Sequence, residues 1–542
     1  MLPTDSAARP LNARLDVGEL GTVTVAEKLP ADGLGVLTEA GCEVIDASAK
    51  SREELLANLG DSVALIVRSA TTVDAELLDS APALKVIGRA GVGVDNIDVV
   101  EATKRGVIVV NAPIANVVSA AEHTVAMILA SARNLAHAHG ALAEGRWDRS
   151  LYTGVELQGK TLGIVGLGRI GREVALRARS FGMVVVAYDP YLDATHGAPE
   201  GVQLMKLDKL AEQSDFVTLH VAKTPETAGL VNSEFIALMK PGSRIVNVAR
   251  GGLIEEAALL AALESGHLAG AAIDVYEKEP ATDSPYFAHP KIVATPHLGA
   301  NTVEAQDRAA RIVAEQVVTA LLGQIPTFSI NLDAVAVPES ARPYLSVARK
   351  LGTLVGSLAG AERGDTVEFG LLGELARHEA SGLLLEVQRG VASALEGRDV
   401  SLVEAPTILA NANIAITPVT HSDLGDHPGA ITARFAGRSA TMTISQSAGD
   451  IRLVDIDGHR ISVPVGEHLA IIKNTNQPGV IAAIATTLAN AGVNITNMAV
   501  GLTTIGDVAV MAVGTDVALT DDVAADVCAA TGLISLDRTS VS

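Results

Sequence analysis

Three short strings in the middle of the chain carry residue types suited to one piece of chemistry. They are Asn247-Val-Ala-Arg250-Gly251-Gly252, Tyr276-Glu-Lys-Glu279-Pro280 and Thr295-Pro-His297-Leu-Gly299-Ala300. Taking hydride from a carbon that bears a hydroxyl requires a base for the hydroxyl proton. Imidazole suits the task, because its unperturbed pKa is about 6.5. A carboxylate beside the ring orients it and stabilises its protonated form. A guanidinium can grip a substrate carboxylate through two N–H donors and polarise the reacting C–O bond. His297, Glu279 and Arg250 supply that set. Singly, each has a plainer reading: a structural histidine after a strand, a turn residue before Pro280, a surface cation. Jointly, downstream of a nucleotide-binding turn, they point to oxidation of a hydroxy acid.

That turn is Gly166-Leu-Gly168-Arg169-Ile170-Gly171, which follows the apolar run LGIV and opens a helical pattern. In a strand–turn–helix context the first glycine permits the tight turn. The second lets a pyrophosphate approach the backbone, and the third lets helix and strand pack closely. The helix start then offers free N–H groups and the positive end of its dipole to the phosphates. Asp189 ends the next apolar run, 18 residues beyond Gly171. An acid there accepts hydrogen bonds from the adenosine ribose and repels a 2′-phosphate, which favours NAD over NADP.

The elements that must position these groups alternate between strand and helix. VTVAE (23–27), ALIVRS (64–69) and LKVIGRAG (84–91) read as strands, with a helix after the first that Gly41 closes. A Pro-free helical stretch over 116–147 could carry the chain from one α/β unit to the next. Further strands are predicted at 160–165, 216–221, 244–249, 271–276 and 291–296, and a helix at 303–322. Such alternation implies an α/β fold with parallel sheets. Pro326, Pro338 and Pro343 mark a domain junction, and 345–465 mixes helix with short strands. The last stretch reads β-α-β-β-α-β, a ferredoxin-like plan.

With these motifs the sequence resembles the D-isomer-specific 2-hydroxyacid dehydrogenase family over about residues 23–335. The resemblance implies Arg250, Glu279 and His297 as the catalytic residues and a Rossmann-like NAD domain. It also implies a flavodoxin-like, discontinuous substrate domain. Arg169 and Ile170 would line the pyrophosphate and Val221 would border the adenosine. Val248 and Asp274 would lie at the nicotinamide end, with Asp274 holding the carboxamide, and Gly299 and Ala300 follow the histidine. For Val221 and Val248 a strand-end core role is an open alternative.

Arg68 and Arg89 each follow a strongly apolar run. With Arg250 they would give an acidic protein the local cationic site that a trianion requires, unless they form structural ion pairs. The loop Ala90-Gly91-Val92-Gly93 could present backbone N–H groups to a carboxylate. The strings RSATTV and RAGVGVDNID are similar to those of the phosphoglycerate dehydrogenase branch of the family. That similarity implies 3-phosphoglycerate as substrate, with Arg68 and Arg89 on its phosphate. Gly91 and Asn111 would lie at the substrate and Val92 on the cofactor side. The run 470–480 and the string AGVNI (491–495) resemble an ACT domain. They imply Asn476 and Asn494 as holders of an effector, L-serine in amino-acid pathways, often across a subunit interface of a dimer or tetramer. Asn476 stands where an acid is common, which weakens the hold on an ammonium group. The segment 345–465 resembles, by position and length, the intervening α+β domain of the longest members.

The resulting division is a tail over 1–22, a substrate domain over 23–120 completed by 303–335, and an NAD domain over 121–302. An intervening domain over 336–466 and an ACT domain over 467–542 complete it. A formal net charge of -22 argues against non-specific binding to nucleic acid or anionic membrane. Two distant cysteines, Cys42 and Cys528, fit a reducing, cytoplasmic setting. The N-terminal stretch lacks the apolar core of a secretory leader, no run is long enough for a membrane span, and no metal is expected. The competing readings are another member of the family, such as a glycerate or glyoxylate reductase, and a non-catalytic NAD-sensing regulator.

Overall fold

The computed structural model describes residues 20–192, 197–332, 337–360, 365–377, 381–420, 429–445, 447–502, 508–529 and 532–540. Most of the tail expected over 1–22 lies outside them. The first sheet holds β1 (Thr22–Val25), β2 (Glu43–Asp46), β3 (Ser62–Val67), β4 (Val86–Arg89) and β5 (Ile108–Val110). Its strands are parallel in the order β2-β1-β3-β4-β5, the flavodoxin-like order. The long helix Val303–Leu321 returns to this sheet and buries Ala310, Val313, Ala314 and Val317 against it.

The second sheet is also parallel. It holds β6 (Thr161–Val165), β7 (Val184–Tyr188), β8 (Val202–Leu204), β9 (Phe216–Leu219), β10 (Ser243–Asn247), β11 (Leu268–Ile273) and β12 (Ile292–Ala294). Their order is β12-β11-β10-β9-β6-β7-β8. The direction of winding reverses between β6 and β9, and ligands of such sheets sit outside the strand ends at that switch. Both faces of the sheet are covered, so its strands read as continuous apolar runs rather than alternating ones. Each of these strands except β8 ends within a few residues of a candidate site group.

The helical stretch expected over 116–147 is two helices, Val117–Arg133 and Leu135–Ala143. They break at Asn134, which takes a left-handed conformation with φ 54°. Asparagine tolerates that region better than most residues and can end one helix where the next begins. Helix Val117–Arg133 is the link between the two sheets. It packs on the Gly-turn helix Arg169–Ser180 and on β11.

Beyond Pro343, two helices (Tyr344–Ala359 and Ser381–Glu396) cross in close contact. They cover a mixed sheet of β13 (Thr366–Gly373), β14 (Ala415–Thr420), β15 (Gly429–Phe435), β16 (Arg438–Ile444), β17 (Ile451–Ile456) and β18 (His459–Pro464). The last unit has β19 (His468–Thr475), β20 (Ile495–Leu502), β21 (Val508–Thr515) and β22 (Leu533–Ser540) in the antiparallel order β20-β21-β19-β22. With its two helices this is the ferredoxin-like plan. One face of the sheet, through Leu469, Ile471, Val510 and Ala512, joins the core of the preceding unit. That unit in turn lends Leu385, Leu402 and Val403 to the core of the first sheet. Among the described residues no helix is long and apolar enough to cross a membrane.

Candidate active site

The Gly turn leaves β6 at the switch point. Gly166 has φ 93°, and a Cβ there would stand 2.6 Å from the His220 carbonyl, so the turn admits only glycine. A Cβ at Gly171 would collide with the Gly166 carbonyl, which is how helix and strand come so close. A Cβ at Gly168 would meet nothing within 4 Å. Gly168 caps the helix Arg169–Ser180 without any side-chain cap, so the first-turn N–H groups face open space. A pyrophosphate fits such a cradle. Asp189, just past β7, accepts from the Leu167 N–H at 2.9 Å and the Tyr191 N–H at 3.0 Å, which ties it to the turn. Val221 lies on the other side of Gly166.

Across the same sheet edge, His297 follows β12 and Glu279 follows β11. Their side chains meet, with Nδ1 of His297 2.6 Å from Oε2 of Glu279. The other carboxylate oxygen accepts from the Tyr276 N–H at 3.0 Å. Burial opposes the charge on Glu279, but the bonds from His297 and the Tyr276 N–H outweigh it and hold the carboxyl below its ordinary range. The hydroxyl of Tyr276 donates to the Thr295 carbonyl at 2.9 Å and so joins the two turns. His297 itself has φ 54°, a left-handed backbone that this non-glycine residue adopts under tertiary constraint.

Asp274 supplies part of that constraint. It is fully buried just past β11. Its Oδ1 accepts from Thr295 Oγ1 at 2.6 Å and the Leu298 N–H at 2.8 Å, and its Oδ2 from the Gly299 N–H at 2.9 Å. Its carbonyl accepts from the His297 N–H at 2.8 Å. Burial works against its charge, but these donors and His123 hold its carboxyl below the ordinary range. Asp274, expected from the sequence as a carboxamide holder, also anchors the turn 297–299, and Val248 packs against Gly299 beside it.

Arg250 follows β10 on a turn shaped by Asn247. The buried Asn247 side chain donates to the Arg250 carbonyl at 2.8 Å and accepts from the Ala249 N–H at 3.0 Å. The guanidinium reaches over Gly93 of the other lobe, with Nε 3.6 Å from Oδ2 of Asp95. Arg89, at the end of β4, lies across the Gly91 backbone, and its Nε is buried with no hydrogen-bond partner among the described residues. Burial and the nearby Arg250 charge push the Arg89 guanidinium below its ordinary range. Arg68 adds to the push, while Asp95 and Glu27 oppose it. Arg250 and Arg68 thus lie near enough to Arg89 for their charges to be felt there, and the Arg68 Nη1 stands 3.5 Å from the Lys28 carbonyl. Asn111 is buried and donates to the Val92 carbonyl at 2.6 Å, which braces the 90–93 loop.

Sequence reasoning missed several supporting groups. One Glu27 oxygen accepts from the backbone N–H groups of Arg68 (2.9 Å), Ala70 (3.2 Å) and Thr71 (3.0 Å). Asn96 donates to the carbonyls of Arg68 and Thr71. Together they fix the loop that carries Arg68. An acid ending the apolar run VTVAE was the available signal for Glu27. In the last unit, Asn476 and Asn494 are both exposed, the Asn494 N–H bonds Asp516 at 2.9 Å, and nearby Asn474 is buried with no partner for its Oδ1 among the described residues.

Residues 125–299 match the model of the D-isomer specific 2-hydroxyacid dehydrogenase NAD binding domain. Residues 340–457 match the D-3-phosphoglycerate dehydrogenase intervening domain, and 468–530 the ACT domain. A D-3-phosphoglycerate dehydrogenase from Mycobacterium tuberculosis is 41% identical over 96% of this chain and 100% of its own length. The chain belongs to the D-3-phosphoglycerate dehydrogenase family. Another family member, from Bacillus subtilis, is 39% identical over 95% of this chain and 98% of its own. Among solved structures, a protein from Thermus thermophilus is 37% identical with a TM-score of 0.52 and covers 57% of this chain and 99% of its own. A glyoxylate reductase from Paecilomyes thermophila is 30% identical with a TM-score of 0.51, covering 57% and 98%. Like the family, the chain is an NAD-dependent oxidoreductase, with a Rossmann-like NAD domain, an intervening domain and an ACT domain.

Proposed function

We propose that the chain oxidises 3-phospho-D-glycerate to 3-phosphohydroxypyruvate with NAD+, the first step toward L-serine. The observation that carries this reading is the His297–Glu279 pair at 2.6 Å, with Arg250 reaching over Gly93 toward the lobe that carries Arg89 and Arg68, whose charges are felt at Arg89. In this reading Arg250 and the N–H groups near Gly91 hold the substrate carboxylate, and Arg250 polarises the C–O bond. Arg68 and Arg89 hold the phosphate, which gives the part-buried guanidinium of Arg89 an anionic partner. His297 takes the hydroxyl proton, and the imidazolium so formed is stabilised by Glu279. NAD+, when bound, accepts the hydride. Gly166, Gly168, Arg169, Ile170 and Gly171 would cradle its pyrophosphate. Asp189 and Val221 would face its adenosine end, and Val92, Val248, Asp274, Gly299 and Ala300 its nicotinamide end.

The phosphoglycerate-type intervening domain supports this substrate over glycerate or glyoxylate. The complete His–Glu–Arg set supports an enzyme over an NAD sensor. Initial rates of NAD+ reduction decide between them. Turnover of 3-phosphoglycerate well above that of D-glycerate, abolished in His297→Ala with NAD+ binding intact, is the expected result. Equal rates on both acids would defeat the substrate assignment.

The ACT match supports a small-molecule effector. L-serine at Asn476 and Asn494 is our assignment, to be read as inhibition in the same assay. Leu135, Leu142, Trp147 and Leu151 are exposed by more than half on one stretch of the NAD lobe. A second copy of the chain is the partner we assign to that face, which light scattering would detect as a dimer or tetramer. Two unpaired cysteines, Cys42 buried and Cys528 exposed, suit the reducing cytoplasm.

A further inference from the structure

We propose that His123 is a positioning residue that fastens the catalytic turn of His297 to the helix joining the two lobes. The inference rests on the reaction proposed above. His123 sits in the second turn of helix Val117–Arg133 and is partly buried. Its Nε2 stands 3.2 Å from Oδ1 of Asp274 and 3.2 Å from Oγ1 of Thr295. An N–H at Nε2 therefore donates into the buried group that holds the N–H groups of Leu298 and Gly299. Four residues earlier, Ser119 shares a 2.8 Å hydroxyl contact with Thr302, the cap of the returning helix Val303–Leu321. The joining helix is thus pinned on both sides of residues 297–302, one pin at each end of the catalytic turn.

A carboxylate with no solvent contact needs a full set of donors, because each missing one leaves desolvation uncompensated. Asp274 is such a group. Without His123, Oδ1 keeps only the Thr295 hydroxyl and the Leu298 N–H, and the turn loses its tie to the helix. His297 has a left-handed backbone, which a non-glycine residue keeps only under constraint, so loosening the turn is expected to weaken the hold on the imidazole beside Glu279. The pyrophosphate cradle lies elsewhere on the sheet edge, around Gly166–Gly171, and touches none of these groups, so the bulk of the dinucleotide's hold is independent of His123 and only its nicotinamide end, assigned to Asp274 and Gly299, adjoins them.

The test compares His123→Phe, which keeps a planar ring without a donor, with His123→Gln, whose amide N–H can reach Oδ1. For His123→Phe, kcat is expected to fall on the order of 10- to 100-fold while KM and the NAD+ dissociation constant stay within about threefold. Backbone amide exchange at 298 and 299 should quicken. His123→Gln should recover most of kcat and the slow exchange. If His123→Phe fails to fold, His123→Ala takes its place beside His123→Gln. A kcat for the donor-free variant near wild type, a glutamine variant no better than it, or unchanged exchange at 298–299 would each overturn the inference. A wild-type chain that does not oxidise phosphoglycerate defeats the functional reading instead. The exchange comparison needs no substrate and then decides the role of His123 alone.

Discussion

Replacing Glu279 by Gln removes one negative charge and keeps nearly the same shape. The lost interaction is the 2.6 Å contact with His297 at the moment the ring carries the substrate proton. A hydrogen bond to a charged group contributes about 1.5–3 kcal/mol. The His297 and Glu279 side chains are 43% and 35% exposed, so solvent screening favours the lower end of that range. A loss of about 1.5–2 kcal/mol corresponds to a fall in kcat of roughly 10- to 30-fold. The bond from the Tyr276 N–H to the other side-chain oxygen survives, so the turn and NAD+ affinity should hold. The folded Glu279 carboxyl is held below its ordinary value, so its contribution is present at neutral pH and is lost only as pH falls through that lowered value. The ratio of wild-type to variant kcat should therefore be flat across neutral pH and narrow on strong acidification. The assay is initial-rate NADH formation at saturating substrate. A fall smaller than about threefold, or one confined to NAD+ affinity, would refute the reasoning.

Three more outcomes follow from the geometry. Gly168→Val should leave the melting temperature unchanged yet weaken NAD+ by at least about tenfold, because its side chain enters open space where phosphates would lie, whereas Gly171→Val should cost about 1–3 kcal/mol of stability in thermal unfolding. Arg89→Met should raise KM for phosphoglycerate by about 10- to 100-fold, while the melting temperature holds or rises because a buried cation without a full set of partners is gone. Asp95→Asn should lower that KM by about two- to fivefold at low salt, since Asp95 faces Arg250 as a competing anion, and the gain should shrink as salt screens an exposed charge.

Much of the site was legible because each chemical string follows an apolar run, and the winding of a parallel sheet brings such run-ends to one edge. The Gly turn, Asp189, Arg250, Glu279 and His297 all announce themselves that way. The groups that hold them do not. His123 sits in the interior of a helix with nothing in its spacing to pair it with Asp274, 151 positions away. Glu27 serves a loop more than 40 positions downstream. Such pairs exist only once strands are in register. The break at Asn134 was hidden because asparagine neither stops a helix outright nor fails to cap one. Strands β2, β5 and β8 are three or four residues long, too short for any periodicity to show. In the intervening unit, β13 pairs with β14 over a separation of 49 residues and with β15 over 56 to 66, beyond local pattern.

The central claim is that three arginines and a paired imidazole converge on one substrate between the lobes. A crystal structure with phosphoglycerate and the oxidised dinucleotide bound tests it directly. The expected result places the substrate hydroxyl about 3 Å from Nε2 of His297, the carboxylate on Arg250 and the phosphate on Arg68 and Arg89. A phosphate bound away from both Arg68 and Arg89, or a hydroxyl out of reach of His297, would contradict it.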